Sequence, residues 1–261
     1  MASGDPVRRL TNLQVVDSRF VERPMVVAGM ATMPSRSATF RQAILSILPQ
    51  VDRLFLFCDR FDEFPDVRHP RVVPLRSQEY GDLGCAGKFL GLTMTPPGAV
   101  YLGIDDDIEY PPDYAATMVG HVRGLQAPGV VGVHGMRMKP DFSSYIDGVV
   151  GYHRSLRLPR PAAVHLLGSD TVAFDTGLLR FDPRAWPHRN MVDLHLALEC
   201  ARRGIRRWAV PREDEWVRSL DQDQPDSIWR AVNQNHQIQT RLARELVAVD
   251  DQWGGLDPLT L

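Results

Sequence analysis

Lysine is nearly missing from this chain: of its 30 basic residues only Lys88 and Lys139 are lysines. Codon-level bias toward arginine accounts for such a pattern, and it draws attention to each lysine that remains. An excess of positive charge is missing too. The formal net charge is −2, which provides no basic field for general nucleic-acid binding, so no nucleic-acid partner is expected. No apolar run approaches the roughly 18 residues needed to span a bilayer, and the N-terminal MASGDPVRRLTNLQVVDSRF has no apolar signal core. A cytoplasmic protein without a transmembrane segment is expected. Cysteine is scarce: Cys58, Cys85 and Cys200 have no metal-site spacing and cannot all pair, which predicts free thiols in a reducing compartment. No G-x-G-x-x-G fingerprint follows the first predicted strand and there is no P-loop, which disfavours the nucleotide-binding modes those motifs signal. Repeats, low-complexity segments and long linkers are also absent, so one domain over 1–261 is the expectation.

What is present centres on residues 99–114, AVYLGIDDDIEYPPDY. A largely apolar run reads as a buried strand and leads into three aspartates. If these stay extended, alternation places Asp105 and Asp107 on one side and Asp106 on the other. Two hard oxygen donors aimed at one place suit Mg²⁺ or Mn²⁺, which takes one or two carboxylates and completes its shell with water and phosphate. A solvated turn is the competing reading. Position favours a ligand, because open α/β sheets bind beyond the carboxyl ends of their strands. Pro111 and Pro112 end the strand and start a helix at Asp113.

Around this stretch the chain predicts a strand over 24–32, a loop MPSRS, and a helix capped by Ser35 or Ser37 and running to about 48. Strands follow over 53–58, ending at Asp59, and over 71–75. A polar, glycine-rich loop, SQEYGDLGCAGKF, then carries Asp82, Gly84, Gly87 and Lys88 into a short helix before Pro96. The second half predicts a helix over 113–125, a strand over 130–134, an irregular aromatic and basic stretch over 137–160 above a pocket, and a strand over 172–174. A helix over 191–203, closed by Gly204, precedes a strand over 207–210 and an amphipathic helix ending near 247. Strands alternating with helices define an α/β chain with a mostly parallel central sheet flanked by helices.

Lys88, at the mouth of the glycine-rich loop, suits a phosphate, where a cation and freed amides meet; it equally suits an ordinary helix start. Asp82, between glycines, suits a polar-ligand contact or a plain turn. Asp193, in the first turn of its helix, is either a general base or a carboxylate favoured by the helix dipole. His134 and His195 read as core or turn residues and stay outside the metal set. Gly168, Ser169 and Asp170 suit the lining of a polar ligand, an acceptor sugar under the resemblance given next. Arg137, Tyr145, Tyr152, His153 and Arg154 suit a polar or anionic acceptor, and Trp216 and Arg218 a C-terminal lid.

The order of these features, with the phrases ATMPSR, GDLGCAGKF, DDDIEYPPDY, GVHG and NMVDLHLAL, resembles a GT-A-fold nucleotide-sugar glycosyltransferase of the family 2 type, in a bacterial subgroup that builds polysaccharides or glycosylates natural products. The resemblance spans about 24–212. It implies a Rossmann-like GT-A domain whose nucleotide-sugar half covers about 24–110 and whose acceptor half covers about 111–212, with a helical tail over 213–261. It further implies that Thr32, Pro34 and Arg36 line the nucleoside, that Asp59 holds uracil or ribose, and that Asp82, Lys88, Asp105 and Asp106 contribute to the donor site. Asp105 and Asp107 would hold Mn²⁺ or Mg²⁺ against the diphosphate, and Asp193 would be the base of an inverting transfer. The family shows Glu-Asp at that point and this chain has Val192-Asp193. The implied partners are a UDP-sugar, a glycan or small-molecule hydroxyl acceptor, and a second copy of the chain in a homodimer. Two rival readings are a sugar-phosphate nucleotidyltransferase, which would carry a glycine- and lysine/arginine-rich loop after its first strand, and a non-catalytic nucleotide-sugar or glycan binder of the same fold.

Overall fold

A computed structural model describes residues 23–220 and 236–250. Its elements, in order, are β1 (Val26–Thr32), α1 (Phe40–Ile47), β2 (Arg53–Cys58), β3 (Val72–Arg76), α2 (Ser77–Tyr80), β4 (Val100–Ile104), β5 (Ile108–Glu109), α3 (Tyr114–Gly124), β6 (Gly129–Gly132) and β7 (Gly135–Met138). They continue with α4 (Tyr145–Gly148), β8 (Val149–Tyr152), β9 (Ala162–Ala163), β10 (Leu166–Leu167), β11 (Thr171–Asp175), α5 (Val192–Ala201), β12 (Arg206–Ala209), β13 (Arg218–Ser219) and α6 (Gln237–Val249).

The central sheet has eight strands in the order β3-β2-β1-β4-β11-β6-β12-β9. β3, β2, β1 and β4 are mutually parallel, and β6 is parallel to β12. β11 runs antiparallel to both β4 and β6, with Thr171 opposite Ile104. That reversal brings the residues entering β11 to the edge where β4 ends. Alternation along β4 serves two cores. Val100, Leu102 and Ile104 pack on the side of α1 and α3, while Tyr101 packs with Phe55, Phe57, Phe89 and Phe174 on the other. A third cluster joins Leu194, Ala197 and Leu198 of α5 to Leu242, Ala243 and Leu246 of α6. A buried ion pair between Arg207 and Asp250 fastens the end of α6 to β12. Cys58, Cys85 and Cys200 are free thiols, and burial pushes each up to about 12.

Three sequence expectations change. The glycine-rich segment is not an open loop before a short helix; it is a 3-10 segment over Gly84–Met94, mostly buried against β1 and β2. Glycines on both sides of the contact are needed: a Cβ on Gly87 of the segment would sit 2.1 Å from the Phe57 ring, and one on Gly29 of β1 would sit 1.8 Å from the Lys88 carbonyl. Residues 137–160 are not irregular throughout, because β7 and β8 join β10 in a three-stranded antiparallel sheet. The aspartate triplet does not stay extended. β4 ends at Ile104, Asp106 and Asp107 form a turn, and the chain resumes as β5.

Candidate functional site

The site lies at the carboxyl edge of β1, β2 and β4. The β1–β4 register pairs Met30 with Ile104, so Thr32 and the aspartate turn leave the sheet side by side. Asp59 follows β2 and donates its backbone N–H to the Thr32 carbonyl at 2.8 Å. Tyr110 pins the turn: its hydroxyl accepts the Asp105 N–H at 2.8 Å and donates to the Asp170 carbonyl at 2.7 Å. One phenol thereby locks the turn after β4 to the residues that enter β11.

Asp106 is buried beneath this edge. Burial pushes its carboxyl up to about 7, Asp105 and Asp107 add to the shift, and the Thr32 hydroxyl and Arg36 oppose it. Arg36 is half-buried and Pro34 exposed in the short turn after β1. Asp105 faces a cavity of about 350 Å³ whose lining includes Lys88, His134, Arg154, Asp170 and Asp193. Lys88 is 2% exposed and forms an ion pair with Asp105, and its Nζ also lies 3.5 Å from Ser169 Oγ. Burial alone would discharge the amine, but the Asp105 carboxylate holds it above the ordinary lysine range. The segment's glycines therefore serve packing, and that packing delivers the cation to the end of β4.

Asp193, in the first turn of α5, lines the same cavity. Its Oδ1 accepts the Ser169 N–H at 2.9 Å. Burial pushes it up to about 6, with Ser169 and Lys88 pulling down and Asp170 pushing up. Asp170 is buried too, yet Arg154, His134 and Lys88 hold it below the usual carboxylate range. Arg154 bonds Asp170 Oδ2 at 2.9 Å and Ser219 Oγ at 2.7 Å.

Asp107 does not line the cavity. Burial pushes its carboxyl up to about 6, Asp105 and Asp170 add repulsion, and Arg154 and Arg36 relieve it in part. Among the described residues no group of three or more His, Cys, Asp or Glu is placed to hold a metal. Two adjacent hard carboxylates nevertheless suit a cation that draws its other ligands from water and phosphate. His195 sits away from this pair, stacked on Trp186 at 5.4 Å.

Asp59 and Asp82 are joined by a residue that sequence reasoning missed. Arg189 forms an ion pair with Asp82 and approaches Asp59 Oδ2 at 3.6 Å. Its neighbour Asn190, with φ of 65°, accepts the Cys85 N–H at 3.4 Å. An Arg-Asn pair just ahead of the Asp193 helix was the available signal. Asp59 is buried, and its Oδ1 has no partner among the described residues.

Gly168, Ser169 and Asp170 line the cavity. Of the basic and aromatic set only Tyr145 and Arg154 do so. Arg137 is buried and bonds the Ala163 carbonyl at 2.7 Å, because β7 carries it under the small sheet. Trp216 and Arg218 clamp the edge: Trp216 bonds Asp113 at 3.3 Å and Arg218 bonds Glu109 at 2.6 Å, beside the β13–β5 pairing. No helix among the described residues is long and apolar enough to cross a membrane.

No family model matches the chain, and no curated protein matches it. Among solved structures it is similar to a crystal structure of glucosyl-3-phosphoglycerate synthase from Mycobacterium tuberculosis in complex with Mn²⁺, uridine diphosphate and phosphoglyceric acid. The identity is 21%, over 42% of this chain and 43% of that one, with a TM-score of 0.33. The matched region thus spans less than half of that protein. The chain itself is an α/β protein whose carboxylates, buried lysine and cavity gather at the carboxyl edge of its sheet.

Proposed function

We propose that the chain is a metal-dependent glycosyltransferase of the GT-A type, moving a sugar from a UDP-sugar to a hydroxyl acceptor with inversion. The observation that carries this reading is one cavity shared by the Lys88–Asp105 pair and Asp193. It offers a cation suited to phosphate and a proton-accepting carboxylate, both gathered about Ser169.

In this reading residues 24–110 hold the donor. The buried Asp59 Oδ1, unpartnered among the described residues, suits a ribose hydroxyl or a uracil N–H. Thr32, Pro34 and Arg36 line the nucleoside, with Asp82 held beside it through Arg189. Asp105 and Asp107 would hold Mn²⁺ or Mg²⁺, which when bound neutralises charge developing on the departing diphosphate. Lys88 adds a fixed cation on the same side.

Residues 111–212 hold the acceptor. Asp193 takes the acceptor hydroxyl proton while the acceptor oxygen bonds to the sugar carbon and the bond from that carbon to the diphosphate oxygen breaks. The products are the glycoside, UDP and a protonated Asp193. Ser169 orients the base through its N–H, and burial strengthens it relative to an ordinary aspartate.

The test is calorimetric titration of UDP and GDP with Mn²⁺ or with EDTA, on wild type and Asp107→Asn. Metal-dependent binding of UDP, lost in the variant, is expected. Binding of neither nucleotide under any metal condition would sink the reading.

A further inference from the structure

The cavity wall contributed by α6 is chemically unusual. Gln239 is 3% exposed, lines the cavity, and has no hydrogen-bond partner for either its amide nitrogen or its amide oxygen among the described residues. Its helix is otherwise apolar where it is buried, at Leu242, Ala243 and Leu246. An amide placed there without partners is costly unless something in the cavity supplies them. The helix is also held in place. Tyr145 donates its N–H to Thr240 Oγ1 at 3.0 Å, next to Gln239, and Arg207 pairs with Asp250 at the far end. On a neighbouring wall His134 Nδ1 is likewise buried and unpartnered among the described residues.

The charges of the cavity are already matched. Lys88 is paired with Asp105 and Arg154 with Asp170, which leaves Asp193 as the surplus group. With Lys88 given to the donor side and Arg154 paired with Asp170, an anionic acceptor would find no cation of its own and would face that carboxylate.

We infer that the cavity takes an uncharged polyhydroxy acceptor, a sugar or polyol without phosphate or carboxylate, and that Gln239 is a specificity-determining residue that both donates to and accepts from its hydroxyls. His134 offers one further contact. This rests on the glycosyl-transfer reading above for the word acceptor; the ligand chemistry follows from the cavity itself.

Saturation-transfer NMR tests it with methyl glucoside, methyl galactoside and methyl mannoside against glucuronic acid and glucose 6-phosphate, each with and without UDP and Mn²⁺. The expected result is transfer to at least one uncharged probe, stronger than to either anion, and about tenfold weaker binding in Gln239→Met, which keeps the volume and removes both polar groups. Melting of Gln239→Met should not fall below wild type, since two unpartnered groups are gone; should it not fold, Gln239→Asn draws the amide back and serves the same arm. Tighter binding of the anions, no binding of any uncharged probe, or unchanged binding in the variants overturns the inference. UDP binding by the wild type is read separately: its absence sinks the transferase reading, while the sugar arms still decide the ligand chemistry.

Discussion

Asp193 Oδ1 and the backbone N–H of Ser169 lie 2.9 Å apart, linking the first turn of α5 to the strand entry beside the Lys88–Asp105 pair. The bond aims the carboxylate, and burial raises its proton affinity to about 6. The sign follows directly. Below that pH Asp193 holds a proton and cannot accept another, so kcat/KM should climb as pH rises through about 6 and level off above it. Asp193→Asn keeps the acceptor for Ser169 but cannot take a proton. UDP release should fall by roughly 10²–10⁴-fold, and the inflection near 6 should vanish. Because the folded protein holds this proton more tightly than the unfolded chain, ionising Asp193 costs stability above pH 6. The asparagine variant should therefore melt no lower than wild type at pH 7.

Tyr110→Phe removes the hydroxyl that serves both the Asp105 N–H and the Asp170 carbonyl. Tyr110 is only 2% exposed, so water has little access to replace the bonds. A loss of about 1–3 kcal/mol is expected in urea unfolding. UDP affinity with Mn²⁺ should drop alongside it as the aspartate turn loosens. A variant with full stability would show that the phenol is not the pin.

Gly29→Ala places a methyl against a backbone carbonyl rather than a yielding side chain, 1.8 Å from the Lys88 oxygen. The 3-10 segment must lift, at a cost of about 1–3 kcal/mol or more, and Lys88 moves with it. Gly151→Ala is the matched control. Gly151 is exposed on β8 with nothing within 4 Å of its would-be Cβ, so urea unfolding should hardly change.

His165 gives a second pH signature, unconnected with the site. Burial, with Arg207 and Arg137 nearby, lowers it from 6.5 to about 4. The unfolded chain therefore binds a proton that the folded protein refuses between those values. Stability attributable to this residue is full above pH 6.5 and drains as pH falls toward 4, by an amount of order 3 kcal/mol. Buried carboxyls such as Asp193 act in the opposite sense over part of that window. The measurement is therefore wild type's urea midpoint minus that of His165→Gln, and this difference should fall on acidification, to wild type's disadvantage.

Much of the N-terminal half was legible because its signals are local. Apolar runs ending at Thr32, Cys58 and Ile104 marked strands, and their shared parallel direction puts Asp59 and Asp105–Asp107 on one edge. The helix carrying Asp193 was visible in its Leu194, Ala197, Leu198 and Ala201 spacing. What escaped depends on contacts between distant segments. Nothing near Lys88 announces that Gly29, far back in β1, clears the space in which it is buried. Arg189 acquires meaning only when Asp59 and Asp82 are brought to it. Nothing in the amphipathic pattern of the last helix singles out Gln239, and only the packing of α6 on α5 turns it toward the cavity. The triplet's turn was missed because strand alternation predicts the same half-exposed Asp105 and Asp107 around a buried Asp106.

The reversed strand β11 has a consequence for how such a chain can diversify. An antiparallel strand set among parallel ones delivers its incoming loop, rather than its outgoing one, to the edge where its neighbours deliver theirs. The wall bearing Gly168–Asp170 is thus fed by the small β7–β8–β10 sheet, which shares no backbone ladder with β1, β2 or β4. Insertions or exchanges within 139–167 can remodel one side of the cavity while the strands that present Asp59 and Asp105 keep their register. Two sides of one pocket are thereby free to change at different rates.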